Sequence, residues 1–191
     1  MRARTRDRWQ DPGQRGAAAV EFALVSIAFF LLLLGILEFG RFMYVRNTVQ
    51  EVTRIAAREA VVSDFTDAKQ TATIQQDAVM NGSAGGDSAL PAVPEITASD
   101  VRIHYLSALP DVEIPSGSMP ASPEDNISAC LDPDRSNSCI RFIQVEVCAG
   151  QDMHCSDPVL YQPMIAPFAF LNLAIPPSSV TMPAESLGYT Q

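Results

Sequence analysis

Ala17 to Leu37 reads AAAVEFALVSIAFFLLLLGIL, an unbroken apolar run in which only Glu21 and Ser26 are polar. As a helix it would extend roughly 31 Å, the thickness of a hydrocarbon core of about 30 Å. A buried core helix of this length normally keeps one polar face, and this run has none. A membrane span is therefore predicted.

A secretory signal peptide shares the charged start and apolar middle, but its cleavage site follows the apolar run. Here that position reads Gly35-Ile-Leu-Glu-Phe-Gly-Arg41, without an Ala-x-Ala pattern. The small residues stand before the run instead, at Gly16-Ala17-Ala18-Ala19. Any processing is expected on the cytoplasmic side.

Charge is partitioned around the span. Residues 1–16 carry a net +3, residues 17–60 balance, and residues 61–191 carry a net −12, which gives the chain its −9. Basic residues before a span and an acidic mass after it predict a cytoplasmic N-terminus and an extracytoplasmic bulk. An acidic chain is a poor match for nucleic acid. Three parts are expected: a basic leader 1–16, a helix 17–62 and a head 63–191.

Gly16-Ala-Ala-Ala-Val-Glu21-Phe22, followed by a hydrophobic helix, resembles the type IV prepilin processing signature. More narrowly, Arg15 to Val25 and Gly35 to Arg41 resemble the TadE-like family of the tight-adherence pilus system, and Ser179 to Glu185 resembles its closing segment. The resemblance implies a pilin-like, single-span protein of the cytoplasmic membrane, working with other pilins or pseudopilins and the pilus assembly platform in adhesion and secretion. It also implies a prepilin peptidase acting on the Gly16–Ala17 bond, and an assembly role for Glu21 and Phe22. A carboxylate inside lipid is costly unless neutralised, which singles out Glu21 independently. The partner implied by the resemblance is the new α-amino group of a neighbouring subunit. Snorkelling to the interface, or the positive end of the helix dipole, is the plainer alternative. Glu38 stands at the outer edge of the span, where water is available, and receives no role.

Helical periodicity continues past the span. Phe39, Phe42, Val45, Val49, Val52 and Ala56 share one stripe, with Arg41, Glu51, Arg54, Arg58 and Glu59 off it and Arg46 the lone exception. The stripe is expected to seat the head's core rather than a coiled-coil seam, because no heptad pattern of flanking charges is sustained. A second helix is predicted from Asp67 to Met80, ending at Asn81-Gly82, and a Gly/Ser/Pro-rich linker from Ser83 to Ser99. Val101 to Tyr105 and Ile143 to Val147 alternate as half-buried strands, and Val180 and Met182 suggest a third. Ser107 to Cys139, with five prolines, reads as irregular. Met164, Phe168, Leu171 and Ile175 keep helical spacing and are expected to cap the sheet. The fold class is α+β: a long N-terminal helix, membrane-spanning then amphipathic, carrying a small head with a short antiparallel sheet.

Cys130, Cys139, Cys148 and Cys155 are an even set on the predicted exterior, where disulfides persist. Of three connectivities, Cys130 with Cys139 and Cys148 with Cys155 is preferred because each closes a short loop. The spacing around His154 lacks the paired Cys-x2-Cys knuckles of a zinc site, so no metal is expected. His104 reads as an outward strand residue. No nucleophile elbow, phosphate-binding glycine loop or His-Glu-x-x-His pair is present, so neither an enzyme nor a cofactor is expected. A signal-anchored binding domain, with the span as a mere tether and the Pro-rich loop as the recognition element, is the alternative function.

Overall fold

The computed structural model describes residues 12–80, 88–171 and 173–188, with side chains from Gly16 onward. Most of the basic leader and the Asn81–Gly82 helix end lie outside these residues. One helix, α1, runs from Pro12 to Ala60, about 74 Å at the standard rise. It needs no interior break because its sequence is free of proline after the first position, where proline is tolerated. Its two halves differ in what surrounds them.

From Gly16 to Leu37 no residue is buried; from Val45 onward the stripe is enclosed, with Val45, Val49, Val52 and Ala56 at 0–1% exposure. These positions form the base of the head's core, each buried valine contributing about 1.5–3 kcal/mol. Phe39, placed on that stripe by spacing alone, is 63% exposed, while its neighbour Glu38 is covered by the head instead.

A four-stranded antiparallel sheet packs on this stripe, in the order β4-β3-β5-β8, formed by β3 (Val101–Ala108), β4 (Val112–Glu113), β5 (Phe142–Val147) and β8 (Ser179–Pro183). Ile103 pairs with Val145, Val145 with Val180, and Ile143 with Met182, so one set of alternate residues faces the core with the helix. Helix α2 (Ala68–Ala78) lies against α1; the Asp67 side chain caps it by accepting from the Lys69 amide. The C-terminal segment is stapled back to the end of α1, where Gly188 N donates to Val62 O.

Three expectations are corrected. The linker 83–99 contains a hairpin of β1 (Ala89–Leu90) and β2 (Val93–Thr97), because Leu90, Val93 and Ile96 are buried in the common core and override the prolines between them. The stretch 107–139 holds a helix, α3 (Pro123–Leu131), started by Ser122 accepting from the Asp125 amide and by Pro123 in its first turn. Residues 164–175 form no α-helix. Strands β6 (Leu160–Tyr161) and β7 (Leu173–Ala174) pair, and among the described residues between them the helical element is a 3₁₀ turn, Ala166–Phe168. Pro163 and Pro167 remove two of the amide donors a helix would need.

Candidate functional site

The exposed half of α1 is the first element of the site. Its most apolar stretch has a mean hydropathy of 2.6 and none of it is buried against the rest of the chain. A soluble core helix of such composition would be covered; this one has the length and the uncovered surface of a single-pass membrane anchor. Gly16 and Ala17 lie exposed near its start, Glu21 is exposed just over one turn on, and Phe22 is 74% exposed beside it. Among the described residues Glu21 has neither a hydrogen bond nor an ion pair.

The second element is a polar collar where the span meets the head. Glu38 is the first buried residue of α1, against the expectation that it would face water. Tyr161 on β6 donates its hydroxyl to the Glu38 carboxylate, and the Met164 amide donates to the same oxygen at 3.3 Å. Burial, followed by the bond to Glu38, pushes the Tyr161 phenol up to about 12, so it remains a protonated donor. One turn on, Arg41 reaches Glu95 of β2 at 3.0 Å and the Gln162 carbonyl at 2.8 Å, and its guanidinium lies 4.8 Å from the Tyr161 ring centre. Glu38, Arg41, Tyr161 and Glu95 thus bolt strands β2 and β6 of the head to the helix. The sequence reading missed this collar; the spacing of three between Glu38 and Arg41 at the end of an apolar run is its one local signal.

The four cysteines are joined as Cys130–Cys139 and Cys148–Cys155, with Cα separations of 4.7 and 5.5 Å. The first ties α3 to the segment entering β5; the second closes the loop leaving β5. Both lie in the head, away from Glu21 and the collar.

His104 is buried at 6%, which corrects the outward placement. It lies on the sheet face opposite α1, Nδ1 2.8 Å from Glu113 and Nε2 3.5 Å from Glu146, and the loop closed by Cys148–Cys155 covers that face through Gln144 donating to Met153 O. Burial pushes the Glu146 carboxyl above the usual glutamate range, opposed by the attraction of His104. Among the described residues no three His, Cys, Asp or Glu side chains are grouped to hold a metal ion.

The helix therefore joins an uncovered apolar half, bearing one unpartnered carboxylate, to a half that seats a small α+β head. Residues 16–58 match the TadE-like protein family. The TadE-like match covers the anchor, the collar residues of α1 and most of the core stripe, and it stops two residues before α1 ends. No curated protein and no solved structure matches the chain. TadE-like proteins are structural components of pili, and the match together with the long apolar helix fits a pilin-like protein of the tight-adherence pilus.

Proposed function

We propose that this chain is a minor pseudopilin of a tight-adherence (Flp-type) pilus, organised as a cytoplasmic leader 1–16, a membrane-spanning and amphipathic helix 17–62, and an extracytoplasmic head 63–191. The observation that carries the reading is the exposed carboxylate of Glu21 on an uncovered apolar helix surface, within a segment matching the TadE-like family. An unpaired carboxylate at that depth gains by several kcal/mol from an opposite charge. Cleavage between Gly16 and Ala17 by a prepilin peptidase creates such a charge, an α-amino group, at the start of the same helix in a neighbouring subunit. Phe22 and the apolar surface around it then pack laterally against other pilins or the assembly platform, while the head faces outward.

The test is genetic. Cells lacking the chain are complemented with the native protein or with Glu21→Ala, membrane levels are matched by immunoblot, and surface filaments are counted. The reading expects filaments to be restored by the native chain and reduced at least several-fold with Glu21→Ala. Equal filament numbers with both would favour a plain tether. Intact mass of the mature chain tests processing separately, by loss of residues 1–16.

A further inference from the structure

Residues 158–184 contain no Asp, Glu, Lys, Arg or His, although residues 61–191 as a whole carry 16 acids. This uncharged stretch includes the loop between β6 and β7, and while Tyr161 and Ile175 are buried in the core, four large side chains in and beside the loop are turned outward: Met164 and Phe170 are each 75% exposed, Leu160 is 54% exposed and Leu173 is 41% exposed. An acidic head has abundant charge with which to cover such a loop, yet none is placed there.

The loop also has a direction. Its Gln162 carbonyl is bonded at the level of Arg41, its Met164 amide at the level of Glu38, and the Phe168 ring lies 3.5 Å from where a Cβ on Gly35 would stand. Advancing along the loop from 162 to 168 thus moves from partners at Arg41 and Glu38 to Gly35, positions separated by about 9 Å of helix rise, from the collar into the apolar run. The ring thus lies at ordinary van der Waals distance from α1 at that point. The exposed Met164, Phe170 and Leu173 are on a segment anchored at the same depth.

We infer that the β6–β7 loop is a second membrane contact, inserted into the outer leaflet beside the span, with lipid acyl chains as its ligand. The inference rests on the membrane-anchored reading above. The descent matches the 5–10 Å to which interfacial segments bury their apolar face. Irregular backbone at that depth must satisfy its polar groups, and this loop has devices for doing so. Pro163 and Pro167 carry no amide hydrogen, while the Phe168, Ala169 and Leu171 amides donate within the turn to Ile165, Ala166 and Phe168 carbonyls. Continuity with the span selects lipid over a second copy of the chain, since the loop lies against Gly35 of its own helix. Two contacts would fix the tilt of the head on the membrane.

The test places a single tryptophan in the full chain, with Trp9→Phe as background, reconstituted in phosphatidylcholine vesicles brominated near the headgroup end of the acyl chains. Phe170→Trp probes the loop. Phe29→Trp reports the span, and Leu131→Trp reports α3, whose start at Pro123 approaches Gly188 and Asp64 beyond the far end of α1. The expected result is bromolipid quenching of the Phe170→Trp probe several-fold stronger than that of Leu131→Trp. Quenching no greater than Leu131→Trp, with Phe29→Trp still shielded from aqueous acrylamide, overturns the insertion alone. Shielding of Phe170→Trp that fades on dilution into excess lipid assigns the loop to a second copy and also overturns it. A Phe29→Trp probe that is open to acrylamide overturns the anchored reading itself.

Discussion

Tyr161 donates its hydroxyl to Glu38 across 123 positions of chain, at the point where α1 passes from uncovered to covered. The bond closes a collar in which a buried carboxylate has a phenol, an amide and a guanidinium around it. Tyr161→Phe leaves the carboxylate one donor short in a buried site and is expected to cost about 1–3 kcal/mol. Glu38→Gln keeps an acceptor for the phenol and is expected to cost less. Thermal unfolding of the detergent-solubilised chain, followed by near-ultraviolet circular dichroism, reads both; equal stability of Tyr161→Phe and the native chain would contradict the collar's role.

The two disulfides differ in access. Cys130 is exposed, whereas Cys148 is fully buried and Cys155 nearly so. Limited reduction followed by alkylation and mass spectrometry is expected to label Cys130 and Cys139 before Cys148 and Cys155. Complete reduction is expected to lower stability by about 2–4 kcal/mol per bridge. Simultaneous labelling of all four would show that the head opens as a unit before either bridge is reached.

Glu146 sets a pH dependence through its raised pKa. The folded state holds the proton more tightly than the unfolded chain, whose glutamates titrate near about 4.3. The stabilisation is therefore complete below that value and is lost as pH rises through the higher folded value. His104, Glu113, Asp152 and His154 stand around or act on this pair. Glu146→Gln removes the charge, so its stability relative to the native chain should increase with pH from about 4 upward. Urea midpoints measured at several pH values check this, and parallel curves for the two proteins would contradict it.

Gly188 has φ +74°, and a Cβ there would come within 2.9 Å of both Asp64 Cβ and Pro123 Cγ. Gly188→Ala combines backbone strain with a clash at the staple that ties Gly188 to the end of α1, and a loss of about 1–3 kcal/mol is expected. A urea midpoint unchanged from the native chain would count against that staple.

What was legible in the sequence is what a local pattern encodes. The apolar run 17–37 and the stripe Val45, Val49, Val52 and Ala56 announced a single rod, and the alternation of Val101–Tyr105 and Ile143–Val147 announced the central strands. Where composition stood in for pattern, the reading failed. Proline counts hid β2 and α3, although Ser122-Pro123-Glu124-Asp125 carries a helix-start signal. The helical spacing of Met164 to Ile175 was accidental, since prolines interrupt it and the chain turns along α1 instead. Glu38 and His104 became buried through packing that spacing does not reveal: Tyr161 lies 123 residues from Glu38, Glu146 approaches His104 only through sheet pairing, and Glu113, nine residues on, reaches it across the β3–β4 turn. The exposed face around Glu21 was legible for the opposite reason, because its environment is set by its own neighbours in sequence.

The central claim is that α1 anchors the chain in the cytoplasmic membrane with the acidic head outside, and protease accessibility in sealed spheroplasts tests it most directly. The account predicts that the chain stays with the membrane after alkaline extraction and that externally added protease removes the head, leaving a small protected fragment containing residues 17–37. An intact chain under the same treatment, digested only after the membrane is opened with detergent, would contradict it.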